Sequence, residues 1–419
     1  MMKKFKLNEL GSVDRGKSKH RPRNDLSLYG GEYPFIQTGD VKHSPFYLTS
    51  HTQTYNEKGL EQSKLWPVNT LCITIAANIA ETAILTYPAC FPDSIIGFIP
   101  DPDKAELKYI KYCLDTFKLQ MQSISQGTTQ DNMSVEKLLS IDFPIPELHE
   151  QRKVAAILSS YDDLIENNKK RIALLVKVAE EIYREWFVRF RFPGYKKATF
   201  EKGIPEDWNV ISLDQLVEIT SSKRIFLSDY VDVGVPFYRS KEVIERSKGS
   251  EPSSPLYISE EKFLEIHEKF GSPKENDILV TSVGTLGIPC LVKKHDRFYF
   301  KDGNLIWFKS QSDINSKFIF FWINTPSGKG SLLETTIGSS QQAFTISGLK
   351  KVKILMPNQE ILSSFFNIID SINSKKENLI TQNRNLKSTK DNLLQRLISG
   401  KLSVEDLDIQ FPASMLDKN

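Results

Sequence analysis

The sequence predicts a mixed α/β fold in which two copies of one module are joined by two long antiparallel coiled-coil helices, pseudo-twofold overall. The first observation is a repeated loop motif, because Gly127-Thr128-Thr129-Gln130 recurs about 211 residues later as Gly338-Ser339-Ser340-Gln341. The second is a proline step, Tyr33-Pro34-Phe35, which is matched by Val235-Pro236-Phe237. The third is a heptad pattern that closes each copy. The distance along the chain between matched motifs changes gradually from one pair to the next. A duplication followed by insertions in loops produces such a pattern.

Length and composition agree with more than one domain. A single compact core of 419 residues would be unusually large. The net charge is only +3, so any affinity for nucleic acid must come from local basic patches. Four scattered cysteines without a CxxC pair predict free thiols in a reducing cytoplasm. We expect neither a signal peptide nor a membrane span, since the longest apolar run is short and interrupted.

Each module is predicted to contain short strands followed by a helix. Runs of β-branched and aromatic residues between Pro, Asn and Gly are typical of strands. In the first copy the pattern predicts strands at Leu71–Ile75, Thr82–Tyr87 and Ser94–Ile99 and a helix at Ala105–Ser123. In the second copy it predicts strands at Ile278–Ser282, Pro289–Lys293 and Asn304–Phe308 and a helix at Asn315–Asn324. Prolines 144, 146 and 357 mark where each module ends and its long helix begins.

Both long helices carry coiled-coil patterning. Apolar residues from Val154 to Trp186 alternate at spacings of four and three, and a seven-residue repeat runs from Phe365 to Leu393. Chain order (module, helix, module, helix) allows the helices to pair antiparallel, with Asn168 and the polar positions Lys376 and Asn383 setting the register. The alternative is that each helix lies independently on its own domain.

Three segments carry a resemblance to a known family. Residues 144–158 (PIPELHEQRKVAAIL) resemble the start of the first long helix in specificity subunits of type I restriction-modification enzymes. Residues 186–194 (WFVRFRFPG) resemble the end of that helix, and residues 393–402 (LLQRLISGKL) resemble the end of the second. The two Gly-[Thr/Ser]-[Thr/Ser]-Gln loops are also similar to loops of the family's target-recognition domains. The resemblance covers essentially the whole chain.

The resemblance implies a domain plan and a function. Residues 1–147 would form target recognition domain 1, residues 148–192 the central helix and residues 193–356 target recognition domain 2. Residues 357–400 would form the C-terminal helix and residues 401–419 a tail. Each recognition domain would read one half of a bipartite site on double-stranded DNA. The helices would set the spacing and dock two methyltransferase subunits, with restriction subunits joining outside and no cofactor bound by this chain.

Local chemistry identifies candidate DNA contacts. The segment Arg15–Arg23 holds five strong bases without an acid, which suits phosphate contact. Arginine and lysine read guanine, and asparagine and glutamine read adenine. The candidates in the first copy are Lys17, Lys19, Arg21, Arg23, Gln37, Asn78, Thr128 and Gln130; those in the second are Lys223, Arg224, Arg239, Lys241, Thr285, Ser339 and Gln341. Each could instead be a solvated surface residue or part of a packed turn.

The sequence argues against catalysis by the chain itself. Asp93, Glu106 and Lys108 fit a PD…ExK nuclease pattern, but Glu106 and Lys108 fall in the first turn of a helix rather than on a strand. The sequence has no Asn/Asp-Pro-Pro-aromatic tetrapeptide, no phosphate-binding glycine loop and no metal-spaced histidine pair. A rival function from another class remains, in which the two modules bind partner proteins and the coiled coil only spaces them.

Overall fold

The computed structural model describes residues 2–20, 22, 24–44, 46–125, 133–249, 252–338, 342–412 and 415. The chain divides into two compact units. The first unit comprises Met1–Ala173 with Glu377–Asn419, and the second comprises Leu174–Lys376. Each unit therefore contains one copy of the module and a part of each long helix.

The first unit is built on two sheets among its described residues. One has the strand order Gly11–Arg15, Ile95–Pro100, Leu71–Thr74, Thr82–Leu85 and Tyr47–Leu48, with only the last pair parallel. The other has the order Gln53–Tyr55, Tyr29–Phe35, Ala89–Cys90 and Leu65–Trp66. Lys3–Phe5 pairs separately with Phe143–Ile145. The shorter helices are Thr38–His43, Glu57–Glu61, Leu107–Thr116, Lys118–Ser125 and Val135–Leu139, with 3-10 turns at Leu7–Glu9 and Leu26–Leu28.

The second unit repeats this plan in the residues described. Its first sheet has the order Val217–Thr220, Leu305–Ser310, Ile278–Thr281 and Pro289–Leu291, and its second has Tyr230–Val231, Leu256–Ile258, Val235–Tyr238 and Tyr299–Phe300. Smaller strand pairs are Asn209–Ser212 with Lys353–Met356, Phe200–Glu201 with Ile204–Pro205, and Thr336–Ile337 with Ala343–Phe344. The shorter helices are Ser240–Ser247, Glu260–Phe270, Asp313–Ile323, Pro326–Leu333 and Ile346–Lys350, with 3-10 turns at Tyr195–Lys197, Leu213–Gln215 and Leu227–Asp229.

Strand register confirms the duplication in detail. In the first unit Tyr29 and Tyr33 both pair with Tyr55, so the strand carries an irregularity between them. In the second unit Tyr230 and Val235 both pair with Ile258. In each copy one residue, Tyr55 or Ile258, thus pairs with two residues that lie four or five positions apart along the chain.

The predicted helix Ala105–Ser123 is wrong in one respect, because it is two helices. The first ends at Thr116 and the second begins at Lys118. Phe117 caps the first helix, and its ring lies edge-on to Phe143 with the centroids 5.3 Å apart. The helical spacing continues across the break, so the periodicity of the sequence does not reveal it.

The two long helices span Leu148–Tyr183, hereafter the central helix, and Gln359–Ile398, hereafter the C-terminal helix. A π-helical turn at Arg184–Val188 extends the central helix. In the first unit, Lys390 Nζ donates to Asp162 Oδ1 at 2.8 Å and Asn168 Nδ2 donates to Asn383 Oδ1 at 3.0 Å. Asn168 follows Asp162 along the central helix, whereas Asn383 precedes Lys390 along the C-terminal helix. The two helices therefore run antiparallel there.

Both long helices are part of the cores of the units they enter. In the first unit Leu397 and Ile398 of the C-terminal helix are buried in the same core as Leu7 and Leu10. In the second unit the ring of Phe187 lies 4.9 Å from that of Phe318 and 4.8 Å from that of Phe365. The prediction of helices that pair with each other, rather than lie on their own domains, is confirmed. Within the part of the chain that the structure describes, no helix is both long enough and apolar enough to cross a bilayer.

Candidate nucleic-acid interface

The basic segment of the first copy is held by its backbone and presents its lysines to solvent. Gly16 lies so close to Pro92 that an added Cβ would sit 2.3 Å from the Pro92 carbonyl oxygen. The Lys17 carbonyl accepts a hydrogen bond from Ser63 Oγ at 2.8 Å. The side chains of Lys17 and Lys19 are exposed. A fixed backbone with free ammonium groups is suited to phosphate contact. Arg21 and Arg23 lie outside the described residues.

The second copy places Lys223 and Arg224 after its equivalent edge strand, Val217–Thr220. The backbone N–H of Lys223 donates to the Tyr299 hydroxyl at 2.9 Å, and Lys223 Nζ lies 4.3 Å from the centroid of the Phe270 ring. Arg224 Nε donates to Asp302 Oδ2 at 3.0 Å, although the arginine side chain is largely exposed. The positive charge of Arg224 is therefore partly compensated by Asp302, whereas the exposed side chain of Lys223 lies against the Phe270 ring.

Gln37 and Arg239 occupy the same place in the two copies. Each follows the equivalent strand, and each is the residue before a helix whose third residue is an acid. The backbone N–H of Gln37 donates to Asp40 Oδ2 at 2.8 Å, and that of Arg239 donates to Glu242 Oε2 at 2.8 Å. The local backbone is thus preserved while the side chain changes from an amide to a guanidinium.

The side chain of Arg239 is held by a buried carboxylate. Its Nη2 donates to Glu242 Oε1 at 2.6 Å and its Nε to Glu242 Oε2 at 3.2 Å, and the Glu242 side chain is fully buried. The hydrogen bonds that the guanidinium donates to Glu242 raise the pKa of Arg239 further above its usual value. The guanidinium edge that does not face Glu242 keeps donors for a bidentate acceptor. In the second copy, Lys241 Nζ of the same helix donates to Ser254 Oγ at 2.8 Å.

Asn78 and Thr285 occupy equivalent positions in one tight turn. The Thr74 hydroxyl donates to the Asn78 carbonyl, and the Thr281 hydroxyl donates to the Thr285 carbonyl. Positive φ angles recur at matching places, 61° at Ala77 and 75° at Gly284. The turn therefore keeps the same backbone in both copies, but it carries Asn78 in the first copy and Thr285 in the second. The Asn78 side chain accepts a hydrogen bond from Lys42 Nζ at 3.0 Å, which ties the turn to the helix after Gln37.

The two repeated Gly-[Thr/Ser]-[Thr/Ser]-Gln loops fall largely outside the described residues, so Thr128, Gln130, Ser339 and Gln341 have no structural account. The flanks of the loops are described. The N–H of Met133 donates to the Ile75 carbonyl at 2.9 Å, and that of Phe344 donates to the Ser282 carbonyl at 3.3 Å. In both copies, therefore, the residues that follow this loop are hydrogen-bonded to the start of the turn that carries Asn78 or Thr285.

A pocket of about 610 Å³ lies beside Gln37 in the first copy. Its wall includes Ser18 of the basic segment, Asn24 directly after it, the apolar residues Leu26, Tyr29 and Phe35, and the amides of Gln37 and Gln53. Gln53 was not among the sequence candidates. Only the strand pairing that sets Gln53 opposite Phe35 identifies it as a candidate, and no local sequence pattern predicts this pairing.

The described residues contain no cluster of His, Cys, Asp and Glu that could hold a metal ion. Glu106 precedes the helix Leu107–Thr116, and Lys108 is buried within that helix. Its ammonium lies 6.0 Å from the centroid of the Tyr47 ring. Burial lowers the pKa of Lys108. Lys108 thus lies in the first turn of a helix as expected, whereas Glu106 is the extended residue before that helix rather than part of its first turn.

Comparison with known proteins gives one family and relatives that match almost the whole chain. The family model for the type I restriction modification DNA specificity domain matches residues 1–177 and again residues 205–382. The type I restriction enzyme MjaIX specificity subunit of Methanocaldococcus jannaschii is 26% identical over 415 residues, covering 96% of this chain and 94% of that protein. The HindI specificity subunit of Haemophilus influenzae is 22% identical over 473 residues, covering 96% of this chain and all of that protein, 100%.

A solved structure has a similar fold. The S subunit of a type I restriction-modification system from M. genitalium superposes with a TM-score of 0.56 at 15% identity. The match covers 95% of this chain and 96% of that one. At this identity the similarity concerns the fold.

Proposed function

Because the chain belongs to the family of type I restriction modification DNA specificity domains, we propose that it is the DNA-recognition subunit of a type I restriction-modification complex, each domain reading half of a bipartite site. One observation carries the proposal beyond family membership. The two copies keep the same backbone at two places that are at least partly exposed and carry different side chains there, Gln37 against Arg239 and Asn78 against Thr285.

These differences have a direct chemical meaning on DNA. In the major groove an amide is complementary to adenine N6 and N7, and a guanidinium is complementary to guanine O6 and N7. Gln37 and Arg239 would therefore prefer different bases from equivalent positions. The buried Glu242 supports this role, because an oriented guanidinium loses less freedom on binding than a mobile one.

The remaining candidates divide by chemistry. Lysines in exposed loops suit phosphate contact, and the polar side chains near the turn suit base edges or bound water. We retain Lys17, Lys19, Arg21, Arg23, Lys223, Arg224 and Lys241 as phosphate contacts, and Gln37, Asn78, Thr128, Gln130, Arg239, Thr285, Ser339 and Gln341 as candidate readers. The proposed division into recognition domains at residues 1–147 and 193–356 is retained with them.

The long helices would hold the two domains at a fixed spacing and dock two methyltransferase subunits. Exposed apolar residues on the central helix support docking, since Leu164, Leu174 and Val178 face solvent. Restriction subunits would join this core, and the complex would work in the cytoplasm, in keeping with four free, buried cysteines. The relatives are named as specificity subunits, so the chain is non-catalytic and catalysis belongs to other subunits.

Site selection tests the proposal. The chain is assembled with its methyltransferase partner, and bound duplexes are selected from a random pool at fixed salt. We expect two short conserved elements separated by a spacer without sequence preference. Exchange of residues 1–147 for the equivalent domain of a relative should change one element and leave the other. Selection without any enriched sequence would instead support the scaffold function.

A further inference from the structure

Leu26 is a large apolar side chain at the surface, 87% exposed, directly after the basic segment. Its position is held by the turn that it begins, Leu26–Leu28. Asp25 Oδ1 accepts a hydrogen bond from the Ser27 N–H at 2.9 Å, and Leu28 is buried. His20 Nε2 and Asp25 Oδ2 are 2.8 Å apart. A turn anchored on both sides displays Leu26 in a defined direction.

The second copy displays a leucine in the same way. Leu227 is 84% exposed and begins the turn Leu227–Asp229 after Lys223 and Arg224. The Phe226 N–H donates to Asp229 Oδ2 at 2.9 Å, which closes this turn. A single exposed leucine needs no explanation. Two at equivalent places, each between a basic loop and the strand that leads to Gln37 or Arg239, indicate a shared role.

The neighbours of Leu26 identify that role. Leu26 lines the same pocket as Gln37 and Gln53. Gln37 Nε2 donates to Gln53 Oε1, so the two amides are joined. This bond leaves the carbonyl oxygen of Gln37 as an acceptor and the amide nitrogen of Gln53 as a donor. That pair of groups is complementary to the N6 donor and N7 acceptor of adenine.

An A·T pair presents one more feature beside these atoms in the major groove, the C5 methyl group of thymine. An apolar side chain next to an amide pair can cover this methyl group. We propose that Leu26 contacts the C5 methyl of a thymine in the half-site of the first domain, beside the Gln37–Gln53 pair. This inference rests on the proposed DNA recognition and extends it to residues outside the basic loops and the amide readers.

The experiment replaces each thymine of the selected site, one at a time, by deoxyuridine, which lacks only the methyl group. Binding of the full chain with its methyltransferase partner is measured at constant salt. Replacing one thymine of the first half-site should lower the affinity for the duplex about fourfold. This is the effect expected from removing one methyl group from an apolar contact. Leu26→Ala should abolish this difference at that thymine and leave the second half-site unchanged.

Leu227→Ala is the matched control, because it removes the corresponding exposed leucine of the second copy and should leave the deoxyuridine effect in the first half-site unchanged. Unchanged melting temperatures, expected for such exposed positions, show that both variants fold. The leucine contact is overturned if no deoxyuridine effect depends on Leu26, if Leu26→Ala weakens all duplexes equally, or if the first half-site contains no A·T pair. The proposed function survives those outcomes, since it fails only when site selection yields no bipartite element.

Discussion

Asn168 of the central helix donates a side-chain hydrogen bond to Asn383 of the C-terminal helix, with nitrogen and oxygen 3.0 Å apart. Asn168 is only 6% exposed, although most of the neighbouring heptad positions in the sequence are apolar. Sliding either helix by one turn would leave each amide buried without its partner. The pair therefore stabilises one register at the expense of others.

Replacing Asn168 alone by Leu should destabilise the first unit. The change leaves the side-chain oxygen of Asn383 without its donor, at a cost of about 1–3 kcal/mol. The double variant Asn168→Leu/Asn383→Leu should recover that stability or exceed the wild type, because two leucines continue the apolar seam. Calorimetric melting of the three variants measures this. Additive losses would show that the two amides act independently.

Asp162 connects the long helices to the first domain. It accepts hydrogen bonds from Lys390 Nζ, at 2.8 Å, and from the Tyr112 hydroxyl, and the Asp162 and Lys390 side chains are 19% and 18% exposed. Burial, together with the Asp162 carboxylate, raises the pKa of the Tyr112 hydroxyl well above its usual value, so the hydroxyl remains a donor.

Asp162→Ala should cost about 2–3 kcal/mol of unfolding free energy, because it leaves a largely buried ammonium and a buried hydroxyl unpaired. Glu166→Ala on the same helix is the matched control. Its pair with Lys169 is half exposed, so it should cost less than about 1 kcal/mol. Thermal melts compare the two variants. Equal effects would contradict the role of burial.

The cysteines should resist thiol reagents in the native protein. Burial raises the pKa of the Cys113 thiol to about 12 and also raises that of Cys72. Since the thiolate is the reactive form, Ellman's reagent at pH 8 should react only after unfolding. Raising the pH to 9 should add little. The stability linked to Cys113 is fully present below its usual pKa of 9.0 and is lost as the pH rises towards 12. Rapid native labelling would contradict this burial.

Lys17 and Lys19 should act through phosphate. Their joint replacement by Ala should weaken DNA binding for all sequences and reduce the slope of log affinity against log salt by about one unit per lost contact. Lys202→Ala, at another exposed lysine, should leave the slope unchanged. The measurement is a binding titration at several salt concentrations. A changed base preference at constant slope would instead make one of these lysines a base reader.

The long helices should act as a ruler. Seven residues inserted in register into both helices, after Ala173 and after Lys376, preserve the heptad seam and add about 10 Å. Site selection should return the same two elements with a spacer longer by about three base pairs. An insertion in one helix only should disrupt the pairing and serves as the control. An unchanged spacer would show that the coil does not set the distance.

Features that follow from periodic or repeated sequence patterns could be predicted. Features that depend on contacts between residues far apart in the sequence could not. The duplication, most strands and both long helices follow from periodicity and motif spacing. The break at Phe117 does not, because the residue turns towards Phe143 in a distant strand. Gln53 was missed because only strand pairing brings it to Gln37. The capping of Arg239 by Glu242, three residues later, was open to prediction from spacing alone.

During synthesis, the two units become complete at different times. The second unit is one continuous stretch, Leu174–Lys376, whereas the first also needs Glu377–Asn419. Leu397, Ile398 and Val404 belong to the core of the first unit. On the ribosome, the N-terminal part of the first unit must therefore wait until residues 377 onward have been made. The later half has all of its own core beforehand. The order of folding then reverses the order of synthesis, and the N-terminal domain spends translation with an open core, where chaperones would have most to protect.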